Sequence, residues 1–517
     1  MTKAIGKASL FFSSKVLRAA ILGISGLLLS GCIPGSDDDN SSFQATLSKF
    51  VGSEEEGNHV NRSGKNDALL RLKTIDEIGQ DFTSSIRSVR QSGEQVVSLE
   101  RPLGIGGQPR FQPLPNLEPV SMEAALSDFY VALHALETGN RKAPVTIVHF
   151  GDQQIAADRF SGDLREQFQS RFGRAALGFL TPAVKEVRGI RLDRGGNWRL
   201  LSSAEGSAGI YGISGIKASA ASADAWMRLT ATDTPFEWVD VTLETGPKFG
   251  TAIISVDGAP KAIATNAPTS DWKTVRINRR GREVTVRARG DGEIRVHSIT
   301  IGDDKPGVQY VSLGLPKATA LTVERWSPGL VAADLKRLDP KLVVLSYGTV
   351  EGFDDTLNIT AYEQRLLQAV AQIKTAAPEA SLIIIGPPDA ARMPAFAVSS
   401  GSGMNACRAL NQTELLRYER LMRKGDVRLA RWHAPPKLHE VRETLRRVAA
   451  HVKAYYWDWS KIMGGPCGIH AWVHSSPPLA APDHVMLTAE GARRSARAFY
   501  NEILSGYKTA APVAQKR

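Results

Sequence analysis

Five short stretches of the sequence gather side chains able to bind or activate a ligand. They are Gly151-Asp152-Gln153-Gln154, Gly314-Leu315-Pro316-Lys317, Gly348-Thr349-Val350-Glu351, Gly386-Pro387-Pro388-Asp389 and Pro482-Asp483-His484-Val485-Met486. Their carboxylates, carboxamides, ammonium and imidazole suit sugar hydroxyls, acetamides and carboxylates. In covalent chemistry Asp152 is a candidate carboxylate nucleophile and His484 a candidate general base. The hydroxyls of Ser161, Ser346 and Thr349 are nearby in sequence. Ser161 falls along a helix and Ser346 within a strand layer, so neither sits on the turn after Gly151. No metal centre and no cofactor are expected: His433, His439, His451, His470, His474 and His484 show no ligand spacing or tight acidic cluster and read as surface or core residues.

The elements around these stretches set their positions. Residues 145–150 (VTIVHF), 308–313 (VQYVSL), 342–347 (LVVLSY) and 381–385 (SLIII) are short β-branched runs that read as buried strands. Helical spacing covers 122–138, 155–172, 330–338, 361–377, 440–454 and 489–505. Between about 206 and 302 the texture changes to short alternating stretches such as WVDVTLE and EVTVRARG, with turn signals at Gly258, Arg280-Gly281 and Gly290-Asp291-Gly292. That pattern predicts an antiparallel β-sandwich or jelly roll. Strand and helix alternation on both sides of it predicts one α/β domain, a parallel sheet between helices, interrupted by a β domain. The expected boundaries are 111–205 and 305–508 for the two α/β parts, 206–304 for the insert and 509–517 for a tail. In an α/β sheet of this kind ligands bind at the C-terminal strand ends, where the five stretches lie.

The N-terminus reads as an address. Lys3, Lys7, Lys15 and Arg18 precede an apolar run of about twelve residues, too short to span a bilayer. It ends in Leu29-Ser30-Gly31-Cys32, which resembles the lipobox of bacterial lipoproteins. The resemblance implies a signal peptide over 1–31 and lipidation of Cys32; a simple secretory signal with an incidental cysteine is the alternative. Ile33 after the cysteine favours, by the same analogy, the outer membrane facing the periplasm. Residues 32–110 form a polar tether and irregular segment. Formal charge is +11 overall; removing the four leader charges leaves +7, spread thinly. That balance does not argue for nucleic acid, and no Gly-rich phosphate loop follows the first strand. Three cysteines are too few for a disulfide scaffold. In an exported chain Cys407 and Cys467 either pair or remain two buried thiols.

The loops, in this order, resemble the SGNH (GDSL-type) hydrolase family. They are most similar to its lipoprotein or periplasmic branch, which includes O-acetylpeptidoglycan esterases with an inserted carbohydrate-binding-like β domain. The resemblance spans about 120–205 and 305–508. It rests on VHFGD ending at Asp152, RFGRAALGF (171–179), LVVLSYGT (342–349), IIIGPPDAAR (383–392), YYWDWSKIMGGPC (455–467) and PLAAPDHV (478–485). It implies a flavodoxin-like sheet and ester hydrolysis by a Ser after Gly-Asp, a His, and an Asp three residues before that His. An oxyanion hole is built from the Ser and a Gly backbone N–H and an Asn side chain.

This sequence departs from that pattern at the reacting positions. Gln153 occupies the nucleophile position and Gln154 follows, so no one-residue shift restores a Ser. Val350 stands at the oxyanion Asn. Lys317 stands at the oxyanion Gly, with Gly215 as a rival alignment. Met486 stands at the base, and only Asp483 is retained. Removing an oxyanion donor alone costs ~10²–10³ in rate, and losing the nucleophile ends the mechanism. The expectation is a catalytically inactive domain. Its cleft of Asp152, Gln153, Gln154, Lys317, Glu351 and His484 either caps a scaffold or binds glycan without turnover. Trp226, Trp238 and Trp272 of the insert either pack or stack on sugar rings. The implied partners are an envelope glycan, peptidoglycan or another acetylated polysaccharide, the membrane through the lipid anchor, and an acetyltransferase or esterase. The alternatives are an acetylesterase with displaced catalytic residues and a structural envelope lipoprotein.

Overall fold

The β-branched runs form five parallel strands: Val145–Gly151, Val308–Gly314, Pro340–Ser346, Ser381–Gly386 and Tyr455–Asp458. In space the order is 308–314, 145–151, 340–346, 381–386, 455–458. Numbered along the chain this is 2-1-3-4-5, the flavodoxin-like order, with its switch point between the 145–151 and 340–346 strands. The computed structural model describes residues 114–175, 178–183, 186–187, 189–303, 305–400 and 405–514. The expected signal peptide, Cys32 and the 32–110 tether lie outside these residues. Among the described residues, no helix is long and apolar enough to cross a membrane.

Every residue of the 145–151 strand is buried, because helices cover both faces of the sheet. The period-two alternation of the strands sorts the cores. Val145, Ile147, Leu342, Val344, Ile383 and Ile385 pack with Phe129, Phe160, Phe168 and Phe499. Val148, Phe150, Val343, Leu345, Leu382 and Ile384 pack with Val331, Leu366, Val441 and Leu445. The first face receives helices Ser127–Glu137, Phe160–Phe172 and Ala489–Ala514; the second receives Pro328–Leu338, Ile359–Ala376 and Pro436–His451. The expected 122–138 helix is broken at Leu126, and the expected 155–172 helix is two helices, Gln153–Ala156 and Phe160–Phe172.

Two antiparallel sheets interrupt the α/β chain. One runs 259–264, 251–256, 283–288, 226–231, 190–195, 186–187; the other runs 271–277, 238–245, 294–302, 216–220, 199–202, with Gly178–Leu180 also pairing the 294–302 strand. Their strands thus begin at Gly178, ahead of the change in texture near residue 206. Leu229, Val241, Leu243, Ile254, Val286, Val296 and Ile299 fill the space between them. Asp240 and the Pro328–Leu338 helix join the insert to the α/β part. Arg337 Nη1 donates to Thr274 Oγ1 at 2.9 Å and Arg337 Nε lies 3.9 Å from Asp240.

Candidate functional site

At the switch point the 145–151 strand turns sharply into the four-residue helix Gln153–Ala156. Asp152 caps that helix, its carboxylate accepting from the Gln154 N–H at 2.9 Å. It also accepts from the Thr349 side chain and backbone. Burial nevertheless pushes its carboxyl up to about 6. Gly314 lies directly under this helix; a Cβ there would come within 1.9 Å of the Ala156 nitrogen. The turn carrying Gln153 is therefore pressed onto the sheet, and Gln153 itself is 2 % exposed.

The other strand-end loops close over the turn. Gln154 Nε2 donates to the Val485 carbonyl at 2.7 Å, and Arg159 donates to the Leu487 carbonyl at 2.8 Å. Asp483 spends its carboxylate on its own loop, accepting from Val485 N at 2.8 Å and Met486 N at 2.9 Å. Met486 is buried. Val350 packs against Phe353, Ala390, Leu438 and Val485, an apolar cluster beside the strand ends. What space remains among Asp152, Gln154, Ser346, Tyr347, Thr349 and Trp459 is a cavity of about 10 Å³, about one water.

The six expected cleft residues do not share one open surface. Asp152, Gln153, Gln154 and Glu351 are buried. Glu351 Oε1 accepts from the Ala320 N–H at 2.8 Å while Oε2 has no hydrogen-bond partner among the described residues; burial, with Asp152 nearby, pushes the carboxyl up to about 7. Lys317 lies outside, in an ion pair with Glu205 at 3.1 Å. Its φ of +64° is one that glycine adopts most easily. His484 turns to the opposite side of its loop.

Ser346 and His149 form a pair that sequence spacing does not show. His149 Nε2 lies 2.7 Å from Ser346 Oγ, and Nδ1 lies 2.7 Å from the Tyr310 hydroxyl. The two partners sit 161 and 197 residues away, on the strands either side of His149. Burial drives the His149 pKa down to about 3, so the ring is neutral.

On the far side of the 483–486 loop, His484 adopts φ +57° and stacks on Trp432, with ring centroids 3.5 Å apart and planes 14° off parallel. Its Nδ1 donates to the Pro482 carbonyl at 2.9 Å, since a carbonyl only accepts. Its Nε2 faces His470 Nδ1 at 2.9 Å. His470 lies on the helix Gly468–Val473 and His474 caps its end, four residues on and therefore on the same face. One ligand atom from each of His470, His474 and His484 lies within 4.8 Å of the others. The expectation that the histidines have no ligand spacing is thus corrected: His470 and His474 are an i, i+4 pair, and the fold brings His484 to it. Burial and the neighbouring rings hold His484 down at about 4 and lower His470 as well. Cys467, just before the helix, is bonded to Cys407, and the 406–408 segment pairs with Trp432 through bonds of 2.9 and 3.1 Å.

A wider groove of about 740 Å³ opens beside the strand ends, between the Tyr418–Lys424 helix and the start of Pro436–His451. Arg417, Arg420, Arg423, Lys437 and Glu440 line it, with Tyr418 and Leu416 as apolar contacts. Asp389 also lines it; Oδ2 accepts from Ile469 N at 3.1 Å, and Oδ1 lies 3.7 Å from the Arg442 guanidinium with no hydrogen bond among the described residues. Nothing in the sequence flags this groove, because its residues come from five separate stretches. In the insert, Arg228 lies 5.0 Å from the Trp226 ring and Arg276 4.0 Å from the Trp238 ring. Trp272 is half-buried and reaches the helix start at Gly329.

Compared with solved structures, the chain is similar to "Peptidoglycan O-acetylesterase in action, 5 min": 24% identity, TM-score 0.58, covering 75% of this chain and 97% of that one. At that identity the likeness shows a shared fold. A family two carbohydrate esterase from Cellvibrio japonicus (9% identity, TM-score 0.24, 63% of this chain and 98% of that one) also matches. So does a putative GDSL-like lipase from Parabacteroides merdae (13%, 0.25, 39% and 73%). Those two overlaps are too loose to carry an argument. No protein-family model and no curated protein matches the sequence.

Proposed function

We propose that the chain is an SGNH-hydrolase-like envelope protein that has lost ester hydrolysis and acts as a glycan-binding or accessory protein in cell-envelope O-acetyl polysaccharide metabolism. One observation carries the reading. The turn that presents the nucleophile in this fold presents Gln153 instead, buried under loops whose partner positions hold Val350 and Met486. A carboxamide supplies no nucleophilic oxygen and a thioether accepts no proton usefully at neutral pH. The open groove at 417–440, within the 300–1,000 Å³ range of ligand sites, offers guanidinium, carboxylate and aromatic groups suited to an acidic amino sugar. Lipidation at Cys32 and outer-membrane placement belong to this proposal.

A second reading is favoured by the Ser346–His149 contact. A hydroxyl 2.7 Å from an imidazole that is oriented by a third group has the form of an activated nucleophile. The 10 Å³ cavity beside Ser346 admits no acyl group without rearrangement of its walls.

Acetyl release from a small aryl acetate separates the readings. The native chain is expected to be silent, and a variant with Gln153→Ser, Lys317→Gly, Val350→Asn and Met486→His to gain turnover. Native turnover that disappears in Ser346→Ala would overturn the inactive reading in favour of the second. Saturable co-sedimentation with purified peptidoglycan, weakened by Arg420→Ala, supports glycan binding; its absence for every envelope glycan tested leaves a structural role.

A further inference from the structure

We propose that His470, His474 and His484 form a binding site for one divalent transition-metal ion of the zinc class, with a fourth coordination position open to solvent. The inference stands apart from the esterase question, because His484 packs on Trp432 and faces His470. Three imidazole nitrogens converge within 4.8 Å of one another. Zn–N bonds of 2.0–2.1 Å in tetrahedral geometry put such nitrogens roughly 3.3 Å apart. The His470–His484 pair at 2.9 Å has to open by a few tenths of an ångström, and the exposed His474 is the ring free to close in. A plain histidine–histidine hydrogen bond accounts for the 2.9 Å contact. It does not account for the third imidazole arriving at the same point from a spacing of one helical turn.

The surroundings match what holds a metal ligand in place. The Pro482 carbonyl takes the His484 Nδ1–H and so directs the Nε2 lone pair at the cluster, the arrangement by which metal-ligating histidines are oriented. Trp432 fixes the plane of the same ring. The helix bearing the other two ligands is anchored at Cys467 by the bond to Cys407. An all-imidazole set without carboxylates selects zinc, copper or nickel over magnesium and calcium. Three protein ligands leave the fourth position for water or for a donor group of a bound molecule.

The test uses the full chain, produced without a polyhistidine tag and stripped with a chelator, titrated with zinc chloride against a chromophoric competitor. One equivalent per chain is expected, with a rise in thermal midpoint on saturation. His474→Ala changes an exposed side chain, so its metal-free circular dichroism and midpoint are expected to match the native chain. Its zinc affinity is expected to fall by at least the roughly 10–100-fold that loss of a mere outer-shell partner costs. His439→Ala, an exposed histidine outside the cluster, is expected to bind as the native chain does. Substoichiometric zinc on the native chain, or unchanged affinity in both His474→Ala and His470→Ala, would overturn the proposal.

Discussion

The two sides of the 481–488 loop differ sharply although four consecutive residues build both. Asp483 and Met486 turn inward. There the carboxylate satisfies backbone N–H groups and the thioether is buried. His484 turns outward, by a left-handed backbone step, into a group of imidazoles beside solvent. The inner side, where the resemblance would place a catalytic centre, is filled with apolar and self-satisfied groups. The outer side has no place in the ester mechanism and yet converges ligand atoms. Retained geometry and retained chemistry therefore need not lie on the same side of a loop.

The inner side is breakable by substitution, and the largest effect is expected at Gly314. Gly314→Ala sets a Cβ against backbone of the Gln153 helix; a loss above about 3 kcal/mol in chemical denaturation is expected. A loss under ~1 kcal/mol would mean that the turn is not pressed onto the sheet. Leu438→Ala, fully buried in the cluster with Val350 and Val485, should cost about 2–5 kcal/mol. If it costs nothing, that cluster is not packed. Gln154→Ala orphans the Val485 carbonyl and should cost about 1–3 kcal/mol. It should leave zinc affinity unchanged if the two sides are independent.

The buried acids make a pH prediction. Glu351 and Asp152 have carboxyls raised by burial to about 7 and about 6 from 4.5 and 3.8. Raised folded values mean that the protonated acids favour folding. That contribution is full at low pH, below the unfolded values, and is lost as pH rises through about 6 to 7. The unfolding midpoint is expected to fall between about pH 4.5 and 7 on their account, and the fall to be shallower in Glu351→Gln. An identical pH profile for the two would remove Glu351 from the explanation. The smallest effect is expected on the exposed rim: Lys317→Gly relieves a left-handed residue but deletes the ion pair to Glu205. These small opposed terms should leave stability within about 1 kcal/mol of native.

Much of the fold is legible in the sequence because burial on both faces makes parallel strands continuous apolar runs. Residues 145–150 and 381–385 announce themselves for that reason, and their helices by spacing. The start of the sandwich near Gly178 is not legible, because the 190–195 and 199–202 strands carry three arginines and expose much of their length. At the site, the residue types at Gln153, Val350 and Met486 are visible in sequence, but the way the loops close over them is not. Closure depends on Gln154 meeting Val485, 331 residues away. The histidine cluster was half legible: His470 and His474 give the helical spacing, whereas His484 joins through a left-handed turn that no local pattern encodes.

The order of the strands has a consequence for how the chain reaches its fold. The first two strands of the parallel sheet are neighbours, with Val145 opposite Val308, and Thr146 bonds Gln309 across 163 residues. The whole antiparallel sandwich lies inside that loop. Its hairpins, such as 251–256 with 259–264, close over a few residues and form early, whereas long-range parallel pairing is slow. Once formed, the sandwich shortens the effective loop. Until then, the 145–151 strand has an unpaired edge open to pairing with another molecule.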